Sequence, residues 1–314
     1  MGALGIISES LRLPFRIGKL GSFLALFLII PSSLIFVCNV FVLKPRFLDL
    51  FLKSSYLRNS VKETLQYDEF ASVIRDDVRV IVGEEAVFIL AGHIVSMLAT
   101  VATIYASAVT YSSKKPTFKD LILRMVSIWK RPLITYLWII LFKLGYLFFL
   151  VLLIGFLAMI ADQDSALLLA LAIFTTLCGL LCYLYLVVVW NLGLVISVVE
   201  EGYQGLTALG KAGQFIKGRK LQGFVLSILV TVATVAMSWI LGLLMNNVKN
   251  GEATYLAIAV VRMDFSCLMT LYSTIVYTVF YCVCKESQGE EIEAQGTSGY
   301  SLITSKAHVD ATLP

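Results

Sequence analysis

Three observations predict an all-α fold, a polytopic membrane helix bundle. Six apolar runs are each long enough to cross a bilayer, the charges gather in the connections between them, and small residues recur at helical spacing inside them. Of 314 residues, 59% are hydrophobic and 15% charged, and the mean hydropathy is +0.86. A soluble domain could not keep its surface wet with that composition. The net charge of +4 sits beside the apolar runs, where retention of Lys and Arg on one side of a membrane accounts for it better than nucleic-acid binding does.

Residues 1–19 form a basic N-terminal segment carrying Arg12, Arg16 and Lys19. The run that follows, 20–43, ends in Leu43-Lys44-Pro45 rather than the small residues of a cleavage site, so it reads as a retained first span. The other spans are 86–111, 132–160, 166–199, 221–245 and 265–284, making a transmembrane domain over 20–285. The first connection, 44–79, is a polar loop with seven basic and six acidic residues, either a soluble cap or a helix on the surface. Residues 286–314 are polar and read as a disordered cytosolic tail.

Two connections have the pattern of amphipathic interfacial helices. In 200–223, Leu206, Leu209, Ala212, Gly213 and Ile216 share one helical face, and Gln204, Thr207, Lys211 and Gln214 the other. In 117–131, Phe118, Leu121, Ile122, Met125, Ile128 and Trp129 oppose Lys119, Asp120, Arg124, Ser127 and Arg131, with Thr117 and Asp120 as a capping box. Both stretches end in basic residues and lead into another span, and their offset of about 85–88 residues marks a weak internal repeat. Their cations define the candidate lipid- or partner-contacting set: Lys119, Arg124, Lys130, Arg131, Lys211, Lys217, Arg219 and Lys220. Placing these residues in the cytosol satisfies the positive-inside rule and, with an even number of spans, puts both termini there too. The compartment this implies is an endomembrane, such as the endoplasmic reticulum, or the plasma membrane.

Small residues line two spans: Gly92, Ser96, Ala99, Thr103, Ala106 and Thr110 in the second, and Gly223, Ser227, Thr231, Thr234, Ser238 and Gly242 in the fifth. Lipid supplies no hydrophobic drive between helices, so such seams serve close packing first and a polar pore lining second. Three polar groups stand within apolar runs and are candidates for function at membrane depth. Lys143 is expected to snorkel or pair within the bundle, His93 to hydrogen-bond in helix packing, and Asn191 to link helices. Glu84, Glu85, Glu200 and Glu201 stand at span ends as anchors or as local partners for Lys and Arg, and Arg262 with Asp264 forms a candidate ion pair.

The six cysteines, Cys38, Cys178, Cys182, Cys267, Cys282 and Cys284, all fall in or beside apolar segments, with neither a disulfide framework nor zinc spacing. For Cys282 and Cys284, core packing is favoured over palmitoylation. No H-E-x-x-H, G-x-S-x-G or G-x-x-x-x-G-K-[ST] pattern occurs, and the histidines are too few for a histidine-box enzyme. The adjacent Glu84 and Glu85 lack the Arg that a double-glutamate protease would need, since Ile89 stands there. No catalytic residue, cofactor or metal is therefore expected.

At Val198-Val199-Glu200-Glu201-Gly202, then Gly205-Leu206-Thr207-Ala208-Leu209, Gly210-Lys211-Ala212 and Lys217-Gly218-Arg219-Lys220, the chain resembles a plant family of uncharacterised multi-pass membrane proteins. More distantly it is similar to the membrane domain attached to some bacterial glycerophosphodiester phosphodiesterases. The resemblance spans roughly residues 1–285, with Ala212 where Ser is often found. It implies an integral membrane protein, and from the bacterial side work near lipid headgroups. The hydrolase chemistry of those relatives lies in a separate soluble domain, so no catalytic residue carries over. The expected function is a lipid-interface, membrane-organising or trafficking role, with anionic headgroups or a cytosolic protein as partner. A small-solute transporter or channel is the alternative, and a lipid-modifying enzyme or its accessory the weaker one.

Overall fold

The computed structural model describes residues 2–59, 64–112, 117–160, 166–247 and 251–287. The described residues contain only helices: α1 (Ala3–Ile17), α2 (Lys19–Asn59), α3 (Thr64–Tyr111), α4 (Phe118–Ile128), α5 (Lys130–Ile160), α6 (Ala166–Val199), α7 (Leu206–Lys217), α8 (Lys220–Asn247) and α9 (Glu252–Ser287). Six of them, α2, α3, α5, α6, α8 and α9, are long and apolar enough to cross a membrane. These match the six expected spans in order.

One segment gains structure and one expectation changes. The basic N-terminal segment is helical: α1 turns Ile6, Ser10 and Leu13 inward, all fully buried. Spacing of four and three residues places them on one face, a stripe that the basic residues mask in the sequence. The connection 44–79, expected as a polar loop forming a cap or a surface helix, continues its two neighbouring helices, with α2 running on to Asn59 and α3 already formed at Thr64. At 1.5 Å per residue, 41-residue α2 is about 61 Å long and 48-residue α3 about 72 Å. Both far exceed a hydrocarbon core of about 30 Å. The tail, 288–314, lies outside the described residues.

The chain divides into two compact units. The first comprises α1, α4, α5, α6 and α7 with the end of α3 from Ile104, the start of α8 to Gly223, and the end of α9 from Val276. Here α6 packs chiefly on α5 and α7. Its C-terminal residues Leu192, Val195 and Ile196 are buried, whereas Ile173, Phe174 and Leu177 nearer its start are exposed. On α5, Leu141, Leu144, Leu147 and Phe148 are likewise exposed. Such a continuous apolar exterior suits lipid contact and would be a liability in water.

The second unit holds α2, α3 up to Thr103, α8 from Phe224 and α9 up to Ile275. Leu28 of α2, Ala99 of α3, and Cys267 and Leu271 of α9 form a buried cluster there. A polar ladder joins α2 to α3. Asn39, Arg46 and Lys53, each seven residues after the last, meet Glu85 at 2.8 Å, Glu84 at 2.8 Å and Asp77 at 2.7 Å. Seven residues is nearly two helical turns, so the three side chains stack on one face of α2. Asp264 of α9 accepts a hydrogen bond from Ser33 of α2, which replaces the expected pairing with Arg262.

Three hydroxyls of the small-residue seams bond backward within their own helices. Thr103 donates to the Ala99 carbonyl at 2.7 Å, Thr110 to Ala106 at 2.8 Å and Thr234 to Val230 at 2.8 Å. Along α9, Ser266, Thr270 and Thr274 donate to the carbonyls of Arg262, Ser266 and Thr270. A hydroxyl satisfied in this way presents little polarity to its surroundings, in keeping with the packing role given to these seams.

Candidate functional site

The most tightly organised polar cluster lies at the end of α6, within the first unit. The sequence there cannot remain helical: Gly202 has φ 89° and Gly205 φ 56°, both in the left-handed region that favours glycine. Gly205 is also pressed by α5, since a Cβ added to it would sit 3.0 Å from Trp138 and 3.3 Å from Ile134. Its N–H donates to Thr135 Oγ1 at 2.8 Å, which ties the turn to the start of α5. Thr207 closes the entry to α7, accepting from the Gln204 N–H at 3.1 Å and donating to the Gln204 carbonyl at 2.8 Å. The expected helix over 200–223 therefore begins only at Leu206.

α7 then returns against α6. Leu209 lies on Gly193, where an added Cβ would fall 2.6 Å from Leu209 Cδ2. Ala208, Leu209, Ala212, Phe215 and Ile216 are buried, while Leu206 is 50% exposed. The buried face is thus rotated from the expected one, losing Leu206 and gaining Ala208 and Phe215. Relative to exposure in water, burying Leu209, Phe215 and Ile216 contributes about 1.5–3 kcal/mol each.

On this scaffold Glu200 is enclosed, with 10% of its side chain exposed. One carboxylate oxygen accepts from the hydroxyl of Tyr281 at 2.6 Å, and the other pairs with the Lys211 ammonium. That ammonium stands 4.0 Å from the ring centroid of Tyr203 and 5.6 Å from that of Phe215, within cation–π range. Phe215 in turn lies 5.9 Å from the fully buried Tyr281. Burial opposes the charge on Lys211, but the Glu200 carboxylate and Tyr203 outweigh it and raise its pKa above the ordinary lysine value. Next door, Arg124 of α4 reaches Glu201 at 3.3 Å. Both oxygens of Glu200 are engaged within the chain, which makes this cluster a clasp joining α6, α7 and α9.

The predicted cations consequently separate into two groups. Arg124 and Lys211 are tied to Glu201 and Glu200. Lys119, Lys130, Lys217 and Lys220 are exposed, while Arg131 and Arg219 are partly buried. Lys130 lies 5.9 Å from the ring of Trp129, and Arg219 donates to Gln222 at 3.1 Å. On α4 only Leu121 and Ile128 of the predicted apolar face are buried; Phe118, Ile122 and Trp129 are exposed. Thr117 takes the N-cap position, but its side chain makes no capping bond. The contacts Arg124–Glu201, Gly205–Thr135 and Tyr281–Glu200 gather α4, α7 and the adjoining ends of α5, α6 and α9 at one end of this unit.

The three candidates at membrane depth each make local contacts. Lys143 is exposed on α5, its ammonium 5.7 Å from the ring centroid of Trp190. It belongs to an aromatic strip in which Tyr183 meets Trp190 at 6.0 Å and Tyr146 at 5.9 Å, and the Tyr146 hydroxyl donates to the Gly179 carbonyl. Asn191, expected to link helices, instead donates to Val187 of its own helix at 2.8 Å. His93 is exposed, and its Nδ1–H donates to the Ile89 carbonyl at 2.8 Å. Cys282 and Cys284 are buried in α9. Sequence reasoning missed Tyr281 and Tyr203 as partners of the Glu200–Lys211 pair. Tyr203 was within reach as a neighbour of the glycine turn, but no spacing rule connects Tyr281, 81 residues away.

A chain whose described residues form only helices, six of them long and apolar enough to cross a membrane, has the make-up of a multi-pass membrane protein. Over residues 1–300 it matches the family described as a domain of unknown function, DUF8558, and it belongs to that family. No curated protein and no solved structure matches it.

Proposed function

We propose that this chain is a non-enzymatic membrane protein whose basic end holds anionic lipid headgroups and serves membrane organisation or trafficking. That end faces the cytosol, together with both termini, at an endomembrane such as the endoplasmic reticulum or at the plasma membrane. The observation that carries the reading is the separation of the cations: Glu200 and Glu201 occupy Lys211 and Arg124, and Lys119, Lys130, Lys217 and Lys220 are left exposed at the same end of the first unit. Each cation near an anionic surface contributes about 1 kcal/mol. The exposed apolar residues of α4, Phe118, Ile122 and Trp129, suit residence at a membrane surface. The backward-bonded Ser and Thr hydroxyls, and Lys143 lying outward against Trp190, favour this reading over a solute path.

The test is lipid selectivity in the reconstituted protein. Spin-labelled phosphatidylserine should be motionally restricted by the protein to a greater extent than spin-labelled phosphatidylcholine, and the preference should shrink with added salt. The combined substitutions Lys119→Gln, Lys130→Gln, Lys217→Gln and Lys220→Gln should abolish it. Equal restriction of the two lipids by the unaltered protein would overturn the reading. Selectivity for a soluble acidic protein without lipid selectivity would move the same surface to a cytosolic partner.

A further inference from the structure

Lys143 lies well inside the apolar run of α5, and the contacts of α5 with α6 fix its level within the first unit. Thr135 meets Gly205 just beyond α6, Lys143 meets Trp190, and Tyr146 meets Gly179, so the two helices run antiparallel. Lys143 comes 12 residues after Arg131, the last cation before the apolar run, or about 18 Å along the helix axis. Trp190 stands ten residues before Glu200, or about 15 Å. Half of a hydrocarbon core is also about 15 Å, which puts the ammonium near the middle of the bilayer. Lys143 is exposed there, and no carboxylate pairs with it among the described residues. We infer that this face of α5 and α6 docks a transmembrane helix of another protein, one that brings a carboxyl group to the Lys143 amine at mid-membrane depth.

Depth and charge complementarity select this occupant. A charge in hydrocarbon is costly unless it is paired, and the Trp190 ring at 5.7 Å eases that cost without neutralising the charge. The four-carbon stem of lysine reaches about 6 Å, whereas the headgroups lie about 15 Å away, so a lipid phosphate stays out of reach. A second copy of this chain is the poorer match, because Glu84, Glu85 and Asp264 within its spans are already engaged by Arg46, Asn39 and Ser33. The surface around the cation suits a helix. Leu147 and Ile154, four and eleven residues beyond Lys143, share its face of α5 and are exposed. Tyr183 of α6 is exposed as well, its ring 6.0 Å from that of Trp190, and it adds a hydroxyl to the same strip. An apolar stripe carrying one cation is complementary to an apolar helix whose one polar residue is a carboxylic acid.

The experiment is Förster transfer in phosphatidylcholine vesicles between the donor-labelled full chain and acceptor-labelled model peptides. Each peptide is a Leu/Ala helix of about 20 residues with tryptophan flanks, carrying Glu, Leu or Lys at its centre. The Glu peptide should associate about tenfold more tightly than the Leu peptide, and the Lys peptide no more tightly than Leu. Lys143→Met, which keeps the length of the side chain and removes its charge, should bring the Glu peptide down to the Leu level, and Lys143→Arg should retain the preference. The four-lysine variant of the basic end should leave the preference intact, so the present inference and the proposed function fail separately. Equal association of the Glu and Leu peptides, or a preference that survives Lys143→Met, would overturn the site. So would a Lys143-dependent selectivity for phosphatidylserine, or a Lys143-dependent self-association of the chain, in place of peptide binding.

Discussion

Replacing Glu200 by Ala tests the clasp most directly. The substitution removes the acceptor of the fully buried Tyr281 hydroxyl and the counter-charge of Lys211, whose side chain is only 22% exposed. Losing a buried hydroxyl's hydrogen bond to a charged acceptor costs about 1–3 kcal/mol. The stranded ammonium adds about 1–2 kcal/mol, less than for a fully buried pair because water still reaches it. At roughly 2 °C per kcal/mol for a chain of this size, the combined loss of about 2–5 kcal/mol should lower the Tm by about 4–10 °C. The assay is thermal unfolding in detergent followed by size-exclusion chromatography with fluorescence detection. Glu200→Gln with Lys211→Met should recover most of the loss, since the amide still accepts from Tyr281 and no charge is stranded. Their coupling should exceed about 1 kcal/mol. A Glu200→Ala protein melting within 1 °C of the parent, or strictly additive single losses, would refute the clasp.

The raised pKa of Lys211 carries a pH signature whose sign follows from linkage. Stability from a raised lysine is fully present below the unfolded value of about 10.4 and is lost as pH rises through the folded one. The Tm of the parent should therefore lose this contribution only in alkali, and Lys211→Met should remove that limb of the profile. At the turn, Gly205→Ala should cost about 1–3 kcal/mol, because its φ of 56° and the Cβ contact at 3.0 Å with Trp138 both resist a side chain. Gly202→Ala, where an added Cβ would meet nothing within 4 Å, should cost less, and the two melting temperatures compare them. In the ladder of the second unit, Lys53→Ala should barely change the Tm, both partners being about one-third exposed and screened by water. Glu85→Ala, which unpairs the partly buried amide of Asn39, should cost more in the same assay.

The sequence by itself determined the helical class and the number of spans. Twenty or so consecutive apolar residues have one stable arrangement in lipid, a helix that satisfies its own backbone. It determined equally that the polar stretch 200–223 separates two spans, and that the basic residues cluster at span ends. Local periodicity reached less far. It placed Leu206 on the buried face of α7, when packing against Gly193 selects Ala208, Leu209 and Phe215 instead. It left the polar connection 44–79 open between a soluble cap and a surface helix, because the charges that looked like solvation are the rungs Arg46–Glu84 and Lys53–Asp77 between two continuing helices. Which cations remain exposed was a tertiary matter as well. Lys211 and Lys217 look alike along the chain, yet only Lys211 lies beside Glu200, and Tyr281 arrives from 81 residues away to complete that site.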